Sequence, residues 1–195
     1  MTSVPAAAPS SEAHAQSPAA TDAYDNRTIR LHWITAVIVA LLWGIAEVID
    51  LFPRGAPKIA VRSVHISLGV LLVAVLVRRL IWRRGPAKHL PPARGGFWGH
   101  AARMSHVALY MALVAVIVLG ISNAWARGDS IFSLFNIPKL LPGYPSLKPT
   151  IGSLHKIGAN VLVIMAHAHA SAALFHHFVL RDSVLQRMLV RRETR

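Results

Sequence analysis

The sequence predicts an all-α membrane protein, a bundle of four transmembrane helices enclosing two haem groups, and three observations carry that prediction. Hydrophobic residues make up 54% of the 195 residues and the mean hydropathy is +0.46, too apolar for an ordinary soluble domain. That apolar content is gathered into four long runs, separated by segments rich in Pro, Gly and basic residues. Four histidines, His32, His65, His155 and His169, stand at membrane depth in these runs, where an ionisable side chain is expensive and marks function.

The elements follow in chain order. Residues 1–25, beginning MTSVPAAAPSSEAHAQSPAATDAY, are rich in Ala, Ser and Pro and lack the basic-then-apolar order of a secretion signal. They are expected to form a disordered tail in which His14 is a solvated bystander. Residues 26–195 form the expected four-helix domain. Its first span, about 31–49, opens at Asp25 or Asn26 as helix cap and closes at Asp50 and the Pro53-Arg54-Gly55 turn. The second, about 64–82, is only just long enough, because its uncharged stretch ends at Val77. Arg78, Arg79, Arg83 and Arg84 extend it by snorkelling toward the headgroups. The third runs over about 105–125, and the fourth over about 157–180 without acid, Lys or Arg. All four must be helices, since open strands would leave backbone groups unpaired in lipid.

Basic residues set the expected orientation. The tail, the Arg78-to-Arg103 stretch and the C-terminus hold 14 Lys and Arg, the other two loops seven, so both termini face the cytoplasm. The same distribution explains a pI of about 11.6 without invoking nucleic acid. Trp33, Trp43, Trp82, Trp98 and Trp125 lie within or near segment ends, and those at ends suit an interfacial belt.

Orientation sorts the histidines by depth. His155 and His169 are fourteen residues apart in one helix, on one face and roughly 21 Å apart along the axis. His65 joins His155 toward the periplasm, and His32 joins His169 toward the cytoplasm. Each pair comes from two helices, as two imidazoles clamping one haem iron require. Gly69, Gly158, Ala159, Ala170, Ala172 and Ala173 are small enough to let a ring approach the backbone, or to serve bare helix packing. A zinc or copper site would need three or four ligands converging at one depth, which this spacing opposes. The absence of cysteine excludes disulfides, iron–sulfur clusters, thiolate nucleophiles and c-type haem attachment.

Four segments, Arg30-Leu31-His32-Trp33, Arg62-Ser63-Val64-His65, Ser153-Leu154-His155-Lys156 and the stretch from His169 to His176-His177, resemble the bacterial cytochrome b561 family, specifically its superoxide oxidase members. The resemblance covers about Asn26 to Arg192. It implies a di-haem b protein of the bacterial inner membrane, with His32 and His169 ligating one haem iron and His65 and His155 the other. It further implies oxidation of periplasmic superoxide to dioxygen, with electrons passing through the two haems to ubiquinone, and a quinone contact at His176.

Other residues bear on that chemistry. The two expected periplasmic loops carry a formal net charge of +4, suited to drawing in a small anion. Arg127 and Lys156 are the leading steering candidates, unless these are simply solubilising loop charges. His176 lies seven residues beyond His169 and about 10 Å nearer the cytoplasm, and is a candidate proton donor to quinone. His106 is expected at similar depth and is a second quinone candidate. His167, His89 and His100 have no assigned role beyond structure.

Three functional classes stand side by side. One is the superoxide:ubiquinone oxidoreductase; another is a haem b subunit passing electrons from a partner dehydrogenase to quinone; the last is a haem-free transporter or assembly factor. Membrane lipid is a partner in all three, and a redox partner protein belongs to the second.

Overall fold

A computed structural model describes residues 23–91, 95–140, 143 and 146–189. Four helices dominate it: α1 (Asn26–Val48), α2 (Ala56–Arg84), α3 (Gly96–Arg127) and α4 (Leu147–Phe178). All four are long and apolar enough to cross a membrane. A two-stranded hairpin, β1 (Ser130–Ile131) with β2 (Phe135–Asn136), follows α3, its strands antiparallel with Ser130 opposite Asn136.

The helices begin well before the apolar spans expected from sequence. α2 starts at Ala56 rather than about 64, and α4 at Leu147 rather than about 157. Polar first turns, outside the apolar stretch, continue the same backbone ladder because a helix carries its own hydrogen bonds into either medium. His65 and His155, expected to open their spans, therefore lie more than two turns inside their helices. α4 in turn stops at Phe178, where Val179 and Leu180 both donate back to the Phe175 carbonyl.

Most of the expected N-terminal tail, His14 included, lies outside the described residues. Its last members, however, are tied down. Tyr24 N–H donates to the Arg187 carbonyl at 3.1 Å. Asp25 caps α1, accepting from Thr28 N–H at 2.9 Å and from the Thr28 hydroxyl at 2.7 Å. The same carboxylate accepts from Trp82 Nε1 at 3.0 Å and Lys88 N–H at 3.2 Å, joining the start of α1 to the end of α2. Burial alone would raise the Asp25 carboxyl, but these hydrogen bonds outweigh it and hold it below its ordinary 3.8.

The chain folds as two helical hairpins, α1 packed on α2 and α3 packed on α4. They meet through a narrow apolar seam of Ile38, Leu72, Leu76, Leu113 and Leu162, to which all four helices contribute. Leu162 lies midway between His155 and His169 in sequence, so the seam separates the bundle into two ends. One end, the terminal end, carries the first and last described residues, and the other carries the β-hairpin.

Candidate functional site: two histidine pairs at opposite ends of the bundle

Each end holds one pair of facing histidines, one from each helical hairpin. At the β-hairpin end, His65 of α2 faces His155 of α4, with ring centroids 6.3 Å apart and planes at 86°. At the terminal end, His32 of α1 faces His169 of α4 at 6.5 Å and 66°. These are the pairs that depth and orientation predict from sequence. Two metal–nitrogen bonds of about 2 Å, each extended by roughly 1 Å to the ring centre, put trans imidazoles roughly 6 Å apart. The residues present therefore fit haem iron: each pair would hold one iron between its two imidazoles.

The β-hairpin end is tightly built. His155 Nδ1–H donates to the Val116 carbonyl at 3.1 Å, which fixes the tautomer and leaves Nε2 unprotonated. Its ring lies against α3 at Gly120, where an added Cβ would stand 2.9 Å from His155 Cε1. Gly120 is absent from the small residues picked out by sequence, because nothing near it in the chain shows that a ring from α4 needs the space. Gly158, which is among them, instead meets Val116 and Leu119 and serves α3–α4 packing, while Gly69 faces open space. His65 Nδ1 is buried against the Leu42 backbone.

Ser63, fully buried two residues before His65, hooks the β-hairpin over this end. Its hydroxyl donates toward the Ile59 and Ser130 carbonyls at 2.7 and 3.2 Å and accepts from Phe132 N–H at 2.8 Å. The turn it holds runs through Phe132 and Ser133, both in the left-handed region at φ +48° and +59°. Nearby, buried Asp129 is shared by Arg62 and Arg127, each at 3.3 Å, and Lys58 pairs with Asp50 at 2.8 Å. Arg127 is thus an ion-pair member as well as a loop charge, although two guanidiniums on one carboxylate leave a net positive charge. Lys156 is exposed beside His155. Arg54, Lys58 and Arg62 line a shallow groove at the same end.

At the terminal end, polar side chains stand around the histidine pair. Arg79 donates from Nη2 to His32 Nδ1 at 3.1 Å, so this ring nitrogen is an acceptor. His106 lies against His169, with centroids 5.2 Å apart, and so stands level with that histidine pair rather than with His176. His176 donates from Nδ1 to Asp182 Oδ2 at 2.6 Å, with the Trp98 ring 6.2 Å away. Asp182 returns to His176 because Arg181 turns the chain at φ +52° after α4 ends. Its other oxygen accepts from Val184 N–H at 3.1 Å. Sequence reasoning missed this carboxylate, which lies past the helix end and comes within reach only through that turn. His167 and His100 donate to carbonyls one turn back, at Val163 and Gly96, consistent with structural roles.

Comparison with known proteins places the whole bundle in one family. Residues 23–190 match the model of the prokaryotic cytochrome b561 family. Cytochrome b561 homolog 1 of Escherichia coli K12 is 31% identical over 87% of this chain and 98% of its own length. A probable superoxide oxidase of Yersinia pestis is 30% identical over 85% of this chain and 95% of its own. Cytochrome b561 homolog 2 of E. coli K12 is 35% identical over 81% and 86%. The chain belongs to the prokaryotic cytochrome b561 family: it is a multi-pass bacterial membrane protein of haem b electron transfer.

Proposed function

We propose that this cytochrome holds two b haems, one between His65 and His155 and one between His32 and His169, and uses them to oxidise superoxide and reduce ubiquinone. The observation that carries the di-haem part is the recurrence of one geometry, facing imidazoles at 6.3 and 6.5 Å, at two depths of one bundle. The substrate part is supported by the similarity to a probable superoxide oxidase and by the basic groups at the β-hairpin end. By the distribution of Lys and Arg, that end faces the periplasm and both termini face the cytoplasm.

When bound, the two haems supply one-electron carriers across the membrane. The chain does the rest. Arg54, Lys58 and Arg62, with Lys156 and the shared Arg127, give the periplasmic mouth a positive field that raises the encounter rate of a small anion. Val116 holds the His155 ring through Nδ1, which leaves Nε2 unprotonated and able to bind iron. The Leu72, Leu76 and Leu162 seam keeps water out between the ends. At the cytoplasmic end, His176 is the proton donor and contact for quinone, with Asp182 fixing its tautomer through Nδ1 and leaving Nε2 to exchange a proton. His106, against His169, lines the approach to that haem rather than the quinone contact itself. In balance, two superoxide anions each give up one electron and leave as dioxygen, and one ubiquinone takes up two electrons and two protons to become ubiquinol.

The test is direct reduction. Purified protein mixed with superoxide should show both haems reduced within the mixing experiment and should then reduce added ubiquinone-1. His176→Ala should slow only the quinone step, by about 100-fold, with both haems retained. Haems that remain oxidised in superoxide, but are reduced by a co-purifying dehydrogenase, would replace this reading with a partner-fed cytochrome.

A further inference from the structure

Among the described residues, Arg79 is a cation inside the bundle with no anion to face. Its Nη2 donates to a neutral imidazole, His32 Nδ1, at 3.1 Å, and its guanidinium carbon lies 5.2 Å from the centre of the Tyr110 ring. Its Nε is buried without any hydrogen-bond partner. Another cation, Arg83, acts on it, and no carboxylate pairs with it among the described residues. A guanidinium placed in a membrane bundle on such terms is costly unless a counter-ion arrives from outside the chain.

The chemistry of His32 says when the partner must change. An imidazole that binds iron through Nε2 carries its remaining proton on Nδ1 and becomes a donor there. Arg79 has only donors, so the 3.1 Å contact between Nη2 and Nδ1 then sets donor against donor. The guanidinium has to leave that nitrogen for an acceptor close by. Haem b brings acceptors of the right kind, its propionate carboxylates, and a planar guanidinium matches a carboxylate with two parallel hydrogen bonds.

We propose that Arg79 anchors a propionate of the haem held by His32 and His169, exchanging the His32 ring for that carboxylate when iron binds. This rests on the di-haem reading above. Arg79 is a positioning residue: it holds the haem edge, and its charge favours the reduced haem of that end alone. Among the described residues no guanidinium is hydrogen-bonded to the ring of His65 or His155, so the two haems respond differently to its loss.

The experiment uses full-length, haem-loaded protein in detergent, as wild type, Arg79→Gln and Arg79→Lys. Haem per chain, the two redox waves and the propionate-bending band in resonance Raman spectra are measured. In Arg79→Gln one wave should move to lower potential by about tenfold in its reduced-to-oxidised ratio, about 59 mV for a one-electron couple, and the other should stay. The propionate band should move with it, and Arg79→Lys should restore most of the potential. If Arg79→Gln loses the haem, Arg79→Lys supplies the readout, because a point charge in place of a planar fork must still shift the band. Two retained haems with unshifted waves and an unshifted band overturn the proposal, as they would if Arg79 instead served a lipid phosphate. Wild-type protein with fewer than two haems overturns the di-haem reading itself, before any variant is made.

Discussion

The two ends of the bundle use the same pair of imidazoles in opposite ways. At the β-hairpin end the site is pinned: His155 has its tautomer set by Val116, its ring seated at Gly120, and a strand pair hooked above it by Ser63. At the terminal end the site is poised for change. His32 accepts a hydrogen bond that iron ligation would break, His106 presses on His169, and a histidine–carboxylate pair lies just beyond. Under the function proposed above, the first end holds a redox group still, and the second supplies groups that exchange partners and protons where electrons leave together with protons.

The sharpest way to break that contrast is at Gly120. Gly120→Ala puts a methyl group 2.9 Å from His155 Cε1 and must displace the ring. It should remove the haem of the β-hairpin end and leave the other, halving the haem per chain in a pyridine haemochrome assay. Retention of both haems would mean that the notch is incidental.

Asp182→Asn probes the opposite end. It removes the carboxylate that orients His176 but preserves the shape, so ubiquinone reduction should slow about tenfold while haem content and superoxide-driven reduction hold. An equal slowing of both half-reactions in stopped-flow traces would place Asp182 in general stability instead.

Ser63→Ala comes next in size. Deleting a fully buried hydroxyl leaves Phe132 N–H without its acceptor, which should cost about 1–3 kcal/mol. Thermal melts followed at the haem bands should show the β-hairpin end releasing its haem at lower temperature, with the terminal end unchanged.

The smallest effect concerns acid. The Asp25 carboxyl is held below 3.8 in the folded chain, so its contribution is complete above that value and is lost as pH falls through the lowered one. Asp25→Ala should cost about 0.5–2 kcal/mol at neutral pH and should flatten the acid limb of the stability profile below about 3.8. An unchanged acid limb would show that other groups of the terminal end govern it.

How much of this was legible in the chain follows from what each feature depends on. The four helices, the Asp25 cap and both histidine pairs depend on period, depth and local capping, all written along one segment at a time. Gly120, Ser63 and Asp182 depend on contacts across the fold: a ring from α4 on α3, a hairpin onto α2, a chain reversal at Arg181. Helices start before the expected spans for a different reason, since hydropathy marks where lipid begins and the backbone ladder continues past that point. Arg79 was read as a snorkelling side chain, whereas the structure turns it inward onto His32.

The central claim is that each end holds its own haem, and haem per chain in two single variants tests it most directly. Wild type should carry two haems, and His155→Ala and His169→Ala one each, with the survivors differing in spectrum and potential. A wild type with one haem, or two variants that keep the same haem, would contradict it.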